Sequence, residues 1–281
     1  MRIAVTGATG FIGRHVLAEL ETRLVETVAV LRPFTRKKIE YSNCNIIHID
    51  LHNPPPNAFD LMGCPDVLIH LAWSGLPNYK SIHHCEQELP AQYAFLKNLI
   101  KSGLQNLVVA GTCAEYGMQS GLLSENVSGP PSNAYGIAKD TLRRKLEHLK
   151  MMNKFQFTWT RLFYIYGEGQ SESALLPQIQ TAIESGKQVF NMSGGEQYRD
   201  YLPVAEVAGY LVSLALLKKD IGTVNICSGN PISIRELVET WIEKNGWSIR
   251  LNLGYYPYPD YEPMEFWGDP QKLLSLIGKT H

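Results

Sequence analysis

The sequence lacks the features that mark a membrane, secreted or nucleic-acid-binding chain. No apolar run approaches the roughly 18 residues of a membrane span, and the best candidate, Tyr210–Leu217, is far too short. Acid and base are balanced, 27 Asp and Glu against 26 Lys and Arg, and the net charge of −1 leaves no basic surface for nucleic acid. The five cysteines, Cys44, Cys64, Cys85, Cys113 and Cys227, are odd in number and form no CxxC pair. That argues against a disulfide framework and for reduced thiols in a cytoplasm. No apolar h-region precedes "MRIAVTGATG", so no signal peptide is expected. His83, His84 and Cys85 are adjacent, but no second cluster stands at ligand spacing, so no metal is expected. Repeats of 20–50 residues and low-complexity segments are also missing.

What remains is an ordinary globular composition, 44% apolar and 19% charged, in a chain of 281 residues. Apolar β-rich runs are expected as strands at Ile3–Thr6, Val28–Leu31, Ile46–Ile49, Val67–Leu71, Leu107–Ala110 and Phe157–Leu162. They read as continuous runs, which suits strands buried on both faces. Helical patterns over 11–23, 86–102 and 135–152 alternate with them. The expected fold is therefore α/β, a Rossmann-like doubly wound parallel sheet with a smaller C-terminal substrate-binding α/β cap. The dinucleotide-binding domain is expected over 1–165 and the substrate domain over 166–281, with 200–228 returning to the first. The tail from 251 is rich in Tyr, Pro and Trp and shows no regular pattern.

In "IAVTGATGFIG" a strand leads into Gly7, Gly10 and Gly13 and a helix opens at once. Such glycines allow a tight turn and let the backbone approach a pyrophosphate, which then sits on the helix N-terminus. The alternative is a plain glycine turn, but the place after an apolar strand favours a dinucleotide, with Gly7, Thr9, Gly10, Phe11, Ile12 and Gly13 as its contacts. An acid at the end of the second strand would hold the ribose 2′-hydroxyl of NAD. Here Arg32 stands near that place, with Arg36, Lys37 and Lys38 just beyond. Basic groups suit the 2′-phosphate of NADP(H), so NADP(H) is favoured and NAD(H) is the alternative; a solvated charged loop is the bland reading. Asp50 closes the third strand, either as a strand cap or as a contact to the adenine end. "LIHLAW" ends the fourth strand at the same sheet edge, offering Leu71 and Ala72 to the cofactor and Trp73 and Ser74 to the substrate.

"VVAGTCAEYG" delivers the hydroxyl of Thr112 at the tip of another buried strand, and "NAYGIAKD" places Tyr135 and Lys139 four apart on one helix face. A tyrosine with a pKa of about 10 is a poor acid or base at neutral pH; a neighbouring ammonium is expected to lower it. A threonine hydroxyl can then orient a carbonyl beside the phenol. Singly, each of these residues has an ordinary structural reading; as an ordered set they point to redox chemistry at a carbonyl.

The set resembles the extended short-chain dehydrogenase/reductase family, in its NAD-dependent epimerase/dehydratase branch acting on nucleotide sugars. "TGATGFIG", "IDL", "HLAW", "GTCAEYG", "NAYGIAK", "RLFYIYGEGQ" and "GGEQYRDYLPVAEVA" occur in family order over nearly the whole length. The resemblance implies a catalytic trio of Thr112, Tyr135 and Lys139, with Lys139 also on the nicotinamide ribose. It implies Asp50 and Leu51 near the adenine, Arg199 near the substrate's nucleotide or diphosphate, and a homodimer. Where family 4,6-dehydratases carry Asp-Glu, this chain has Cys113 and Ala114, so dehydration is excluded, and Glu115 reads as structural. Tyr164 replaces a substrate-touching Asn, and Gln92 replaces a helix Asn. The compact length, the basic loop and the altered substrate loop resemble the 4-ketoreductases, of the dTDP-4-dehydro-6-deoxyglucose reductase or CDP-paratose synthase type. The implied partner is a dTDP-, CDP- or GDP-linked 4-keto-6-deoxyhexose in bacterial surface polysaccharide synthesis. A 4-epimerase with bound NAD is the alternative, and a non-catalytic dinucleotide sensor or scaffold the lesser one.

Overall fold

The apolar runs form strands and the periodic segments between them form helices. The computed structural model describes residues 1–35, 41–258, 260 and 262–278, so Arg36, Lys37 and Lys38 lie outside the described residues. The chain begins with β1 (Arg2–Thr6), α1 (Phe11–Thr22), β2 (Glu26–Leu31), β3 (Cys44–His48), a single turn α2 (Ala58–Leu61) and β4 (Val67–His70). A π-helical turn, His84–Glu88, opens α3 (Leu89–Lys101). Then follow β5 (Asn106–Thr112), β6 (Gly121–Leu123), α4 (Ala134–Met152) and β7 (Gln156–Leu162). Beyond lie β8 (Tyr164–Tyr166), α5 (Leu175–Glu184), β9 (Val189–Asn191), β10 (Tyr198–Pro203), α6 (Val204–Leu217) and β11 (Gly222–Ile226). The last elements are β12 (Pro231–Ser233), α7 (Ile234–Asn245), β13 (Arg250–Asn252), β14 (Phe266–Gly268) and α8 (Gln271–Ile277).

Seven strands pair in parallel in the order β3-β2-β1-β4-β5-β7-β11. β1, β4, β5 and β7 are buried along nearly their whole lengths, because helices cover both faces. On one face α1 and α6 pack Val16, Leu20, Leu211 and Val212 against Ile3, Val5 and Ile69. On the other, α3 and α4 pack Phe95, Leu99, Leu142 and Leu146 against Leu68, Val109 and Trp159. The order in which strands are added reverses between β1 and β4, so the connections leaving their C-terminal ends part to opposite faces and open a crevice, the place where parallel α/β sheets bind ligands.

α4 starts because the Asn133 side chain accepts a hydrogen bond from the Gly136 amide at 2.9 Å, capping a donor that the helix leaves free. The third layer is smaller: α5 and α7 enclose Ile179, Phe190, Val238 and Trp241. Asp200, within β10, the central strand of a short three-strand sheet, accepts the amides of Ser228 and Gly229 at 2.7 and 2.9 Å, fastening that layer to the exit of β11.

Two sequence readings need correction. The tail is not irregular: β13 pairs with β9, β14 pairs with β6, and α8 buries Leu273. Elements of three and seven residues are too short to show a period, and their partners lie far off in sequence. The helix expected from 86 instead opens two residues earlier as a π-helical turn, which no simple periodicity reveals.

Gly13 illustrates how tightly the first turn is packed. A Cβ there would run into the carbonyl oxygen of Gly7 and the backbone of Ala8. Gly13→Ala is expected to cost about 1–3 kcal/mol, as overpacking does. Urea unfolding of the variant measures the loss.

Candidate active site

The crevice between the ends of β1 and β4 is a cavity of about 330 Å³. Gly7, Thr9, Arg32, Asp50, Leu51, Ala72, Trp73 and Ser74 line it, each singled out by the sequence. Gly7 has a φ of 70°, and a Cβ there would lie 2.8 Å from the Ala72 amide nitrogen. Only glycine leaves this close passage open. Gly10 precedes the first turn of α1 in extended backbone, with its amide 2.9 Å from the Gly7 carbonyl. These features fit a dinucleotide: a bare backbone turn, a helix N-terminus for the pyrophosphate and a long cleft running to Asp50. Gly10, Phe11, Ile12, Gly13 and Leu71 do not line the cavity; they shape the turn behind it.

Thr112, Tyr135 and Lys139 come together beside this cleft. Thr112 ends β5 in extended backbone; its hydroxyl accepts the Ala114 amide at 3.2 Å and lies beside the Tyr135 phenol. Its amide is held by the Glu115 carboxylate at 2.9 Å. Glu115 also accepts from Trp159 Nε1 at 2.9 Å and Arg161 Nε at 3.0 Å, all within the core. Tyr135 is buried, its amide 3.0 Å from the Tyr79 carbonyl. Lys139 Nζ donates to the Ala110 carbonyl at 2.8 Å and stands 4.1 Å from the Trp73 ring centre.

The electrostatics differ from expectation. Burial pushes the Tyr135 phenol above its ordinary value, and the neighbouring Tyr79, Glu115 and Cys113 act in the same direction. Burial also lowers Lys139, to about 7, against the opposing pull of Glu115 and Glu88. The ammonium therefore does not bring the phenol into the neutral range; the phenol stays protonated, as a proton donor must. Cys113 is pushed up to about 12, chiefly by burial and then by Glu262, so it is a neutral thiol where dehydratases carry an acid.

Tyr164 and Arg199 also meet. Arg199 is buried, with Nε 3.3 Å from the Tyr164 hydroxyl and Nη2 3.1 Å from Glu262. Its Nη1 donates to the carbonyls of Tyr198 and Met264, and its guanidinium covers the Phe266 ring at 4.6 Å.

Sequence reasoning missed Glu88, His84 and His52. Glu88 is fully buried, yet Ser74 and Gln92 hydrogen bonds and His52 hold its carboxyl at about 2 against the effect of burial. Only their contacts with the β4 exit and its loop reveal them. Gln92, which had no interpretation, donates to Glu88 at 2.9 Å. Among the described residues, no three His, Cys, Asp or Glu side chains are grouped to hold a metal ion.

Fold and site define a doubly wound dinucleotide-binding oxidoreductase scaffold with a Tyr–Lys–Thr cluster at its ligand edge. Residues 3–227 match the NAD dependent epimerase/dehydratase family, and the chain belongs to that family. It is 28% identical to a dTDP-6-deoxy-L-talose 4-dehydrogenase (NAD(+)) of Aggregatibacter actinomycetemcomitans, over 95% of this chain and 99% of that one. It is 24% identical to a dTDP-4-dehydro-6-deoxyglucose reductase of Escherichia coli, over 85% and 80% of the two chains. Its fold superposes on a UDP-N-acetylglucosamine 4-epimerase from Methanobrevibacter ruminantium with a TM-score of 0.88 at 20% identity, over 99% and 92%. The family places the chain among NAD(P)-dependent enzymes that act on CH–OH and C=O groups of nucleotide sugars. Among the described residues, no helix is long and apolar enough to cross a membrane.

Lys139 makes a stability prediction with a definite sign. Between about pH 7 and the ordinary lysine value near 10.5, the unfolded chain holds a proton that the folded chain has lost, so folding stability rises with pH across that window. Lys139→Met removes this dependence. Relative to wild type, the melting temperature of the variant should be highest near pH 6 and fall back as pH approaches 9. A constant difference in calorimetry at the two pH values would contradict the burial of the ammonium.

Proposed function

We propose that the protein is an NADPH-dependent 4-ketoreductase of a nucleotide-activated 4-keto-6-deoxyhexose, linked to dTDP, CDP or GDP and serving surface polysaccharide synthesis. The observation that carries this reading is the meeting of the Thr112 and Tyr135 hydroxyls with Lys139, beside a residue 113 that is a neutral thiol. An alcohol-forming step needs a donor phenol and a carbonyl-orienting hydroxyl; water elimination would need the acid and base that are missing. Both curated relatives described above are named for oxidation or reduction at position 4 of a dTDP-linked deoxysugar.

In this reading, residues 1–165 with 200–228 bind the dinucleotide and the rest of 166–281 holds the sugar nucleotide. Gly7 and Thr9 take the pyrophosphate at the α1 N-terminus, Gly10 and Gly13 shape the turn behind them, and Asp50 with Leu51 takes the adenine end. Arg32 faces the same cavity where an acid would select NAD, which supports NADP(H). When bound, the reduced nicotinamide supplies the hydride to C4. Thr112 hydrogen-bonds the C4 oxygen and orients it toward Tyr135. Tyr135 gives its proton to that oxygen as negative charge develops, and the Lys139 ammonium stabilises the phenolate left behind. Arg199, released from Glu262 or sharing it, meets the substrate's diphosphate, and Tyr164 shapes the sugar pocket.

The test mixes purified protein and NADPH with CDP-, GDP- and dTDP-4-keto-6-deoxyhexoses and follows nicotinamide absorbance. Stoichiometric loss of NADPH supports the reductase; sugar conversion with none consumed makes the protein a 4-epimerase. Parallel runs with NADH test the role given to Arg32. Tyr135→Phe is expected to lower kcat by about 10²–10⁴-fold while NADPH binding stays measurable. Near-wild-type turnover in that variant would sink the assignment.

A further inference from the structure

Trp73 and Ser74 stand in the loop that leaves β4, just after Leu71 and Ala72, and one short element grips both. The turn His84–Glu88 is π-helical, a wider coil than an α-helix and one found most often at functional sites. Its first residue, His84, accepts a hydrogen bond from Trp73 Nε1 at 3.1 Å through Nδ1. Its last, Glu88, accepts the Ser74 amide at 3.2 Å and the Ser74 hydroxyl at 2.6 Å. Two consecutive residues of the cleft wall are therefore held by the two ends of a single turn.

The partners fix the His84 tautomer. An indole N–H only donates, so Nδ1 carries no proton; Nε2 lies 2.9 Å from the Asn78 carbonyl, which only accepts, so the proton sits there. His84 is fully buried and uses both ring nitrogens. Glu88 is equally committed: its oxygens also accept Gln92 Nε2 at 2.9 Å and His52 Nε2 at 2.8 Å. Buried polar groups this fully matched are rigid, because any movement would leave one of them unpaired.

What this grip presents is the face of Trp73. The indole lies 4.1 Å from Lys139 Nζ, and its edge meets the Tyr135 ring at a centroid distance of 6.0 Å. His84 itself packs edge-on against Tyr135 at 5.3 Å. A buried ammonium is hard to maintain, and the groups that face Lys139 among the described residues come from three elements and two rings. They are the Ala110 carbonyl and Glu115 from the β5 end, Glu88 from the π-turn, His70 from β4, and the rings of Trp73 and Tyr135.

We propose that His84 and Glu88 are positioning residues for the Tyr135–Lys139 pair. His84 holds the Trp73 indole against the Lys139 ammonium, and Glu88 holds Ser74 and with it the loop that carries the indole. The proposal rests on the reading of Tyr135 and Lys139 as proton donor and partner. The Glu88 carboxylate adds to the geometric role, because its negative charge favours the charged form of Lys139.

The test uses ligand-free protein with lysines labelled with 13C at Cε, where Lys139, titrating at about 7, stands apart from surface lysines. His84→Leu removes the acceptor and frees the indole. The Lys139 midpoint is expected to fall by about half a pH unit, the worth of one partly lost cation–π contact. His84→Asn keeps an acceptor facing the indole and should restore most of the wild-type value. In a Trp73→Leu background, His84→Leu should change nothing further, because the two residues act through one contact. An unmoved midpoint in His84→Leu, or an equal fall in the Trp73→Leu background, overturns the proposal. Should His84→Leu not fold, Trp73→Leu and Glu88→Gln carry the same reading, and an unchanged midpoint in either overturns it. The catalytic assignment fails separately: an active Tyr135→Phe removes that assignment and the proposal with it. An inactive Tyr135→Phe with an unmoved lysine signal overturns the proposal alone.

Discussion

One buried carboxylate, Glu115, sets the geometry on which the site depends. A Cβ on residue 111 would run into the Trp159 indole and the Glu115 carboxylate bonded to it, so β5 carries glycine there. From that place the carboxylate ties the Thr112 amide to Trp159 and Arg161 of the neighbouring strand β7. Val109 pairs with Trp159 and Gly111 with Arg161, so both β7 donors project on the same face toward the carboxylate. Losing the carboxylate would leave the Arg161 charge buried without its partner, an arrangement proteins rarely tolerate. The same group supplies one of the negative charges that favour the Lys139 ammonium. Structural and chemical demands therefore converge on one side chain.

The parallel sheet does the rest of the gathering. Because every strand runs the same way, the ends of β1, β4 and β5 deliver the glycine turn, Trp73 and Thr112 to one edge without any long-range design in the loops. Tyr135 and Lys139 join them because the Asn133 cap fixes where α4 begins, and the first two turns of that helix point both residues at the sheet. Their burial then decides the protonation states: the phenol is kept neutral, and the amine is poised near neutrality.

This division explains what could be read from the sequence. β1, β4 and β7 were legible since strands covered on both faces are apolar throughout. Thr112, Tyr135 and Lys139 were legible because each stands at a strand end or helix start with a recognisable order. The direction of the Tyr135 shift was not, because it follows from how many groups exclude water from the phenol, a property of packing. Glu88 and His84 were hidden for a related reason. Their residue types are normally exposed, and a π-turn carries no period that would betray an inward face. The C-terminal strands escaped because their pairing partners, β6 and β9, are too distant in sequence to leave a local mark.

The return of α6 and β11 to the first layer has a consequence for the order in which the protein is made. β11 closes one edge of the main sheet, and α6 covers the same face as α1. Both follow α5 and β9, which belong to a different layer. During synthesis the cofactor layer cannot be completed until residue 226 has left the ribosome, by which time part of the other layer is already out. The nascent chain must hold an open sheet edge for that interval, and the exposed β7 strand is the segment that a chaperone would have most reason to shield.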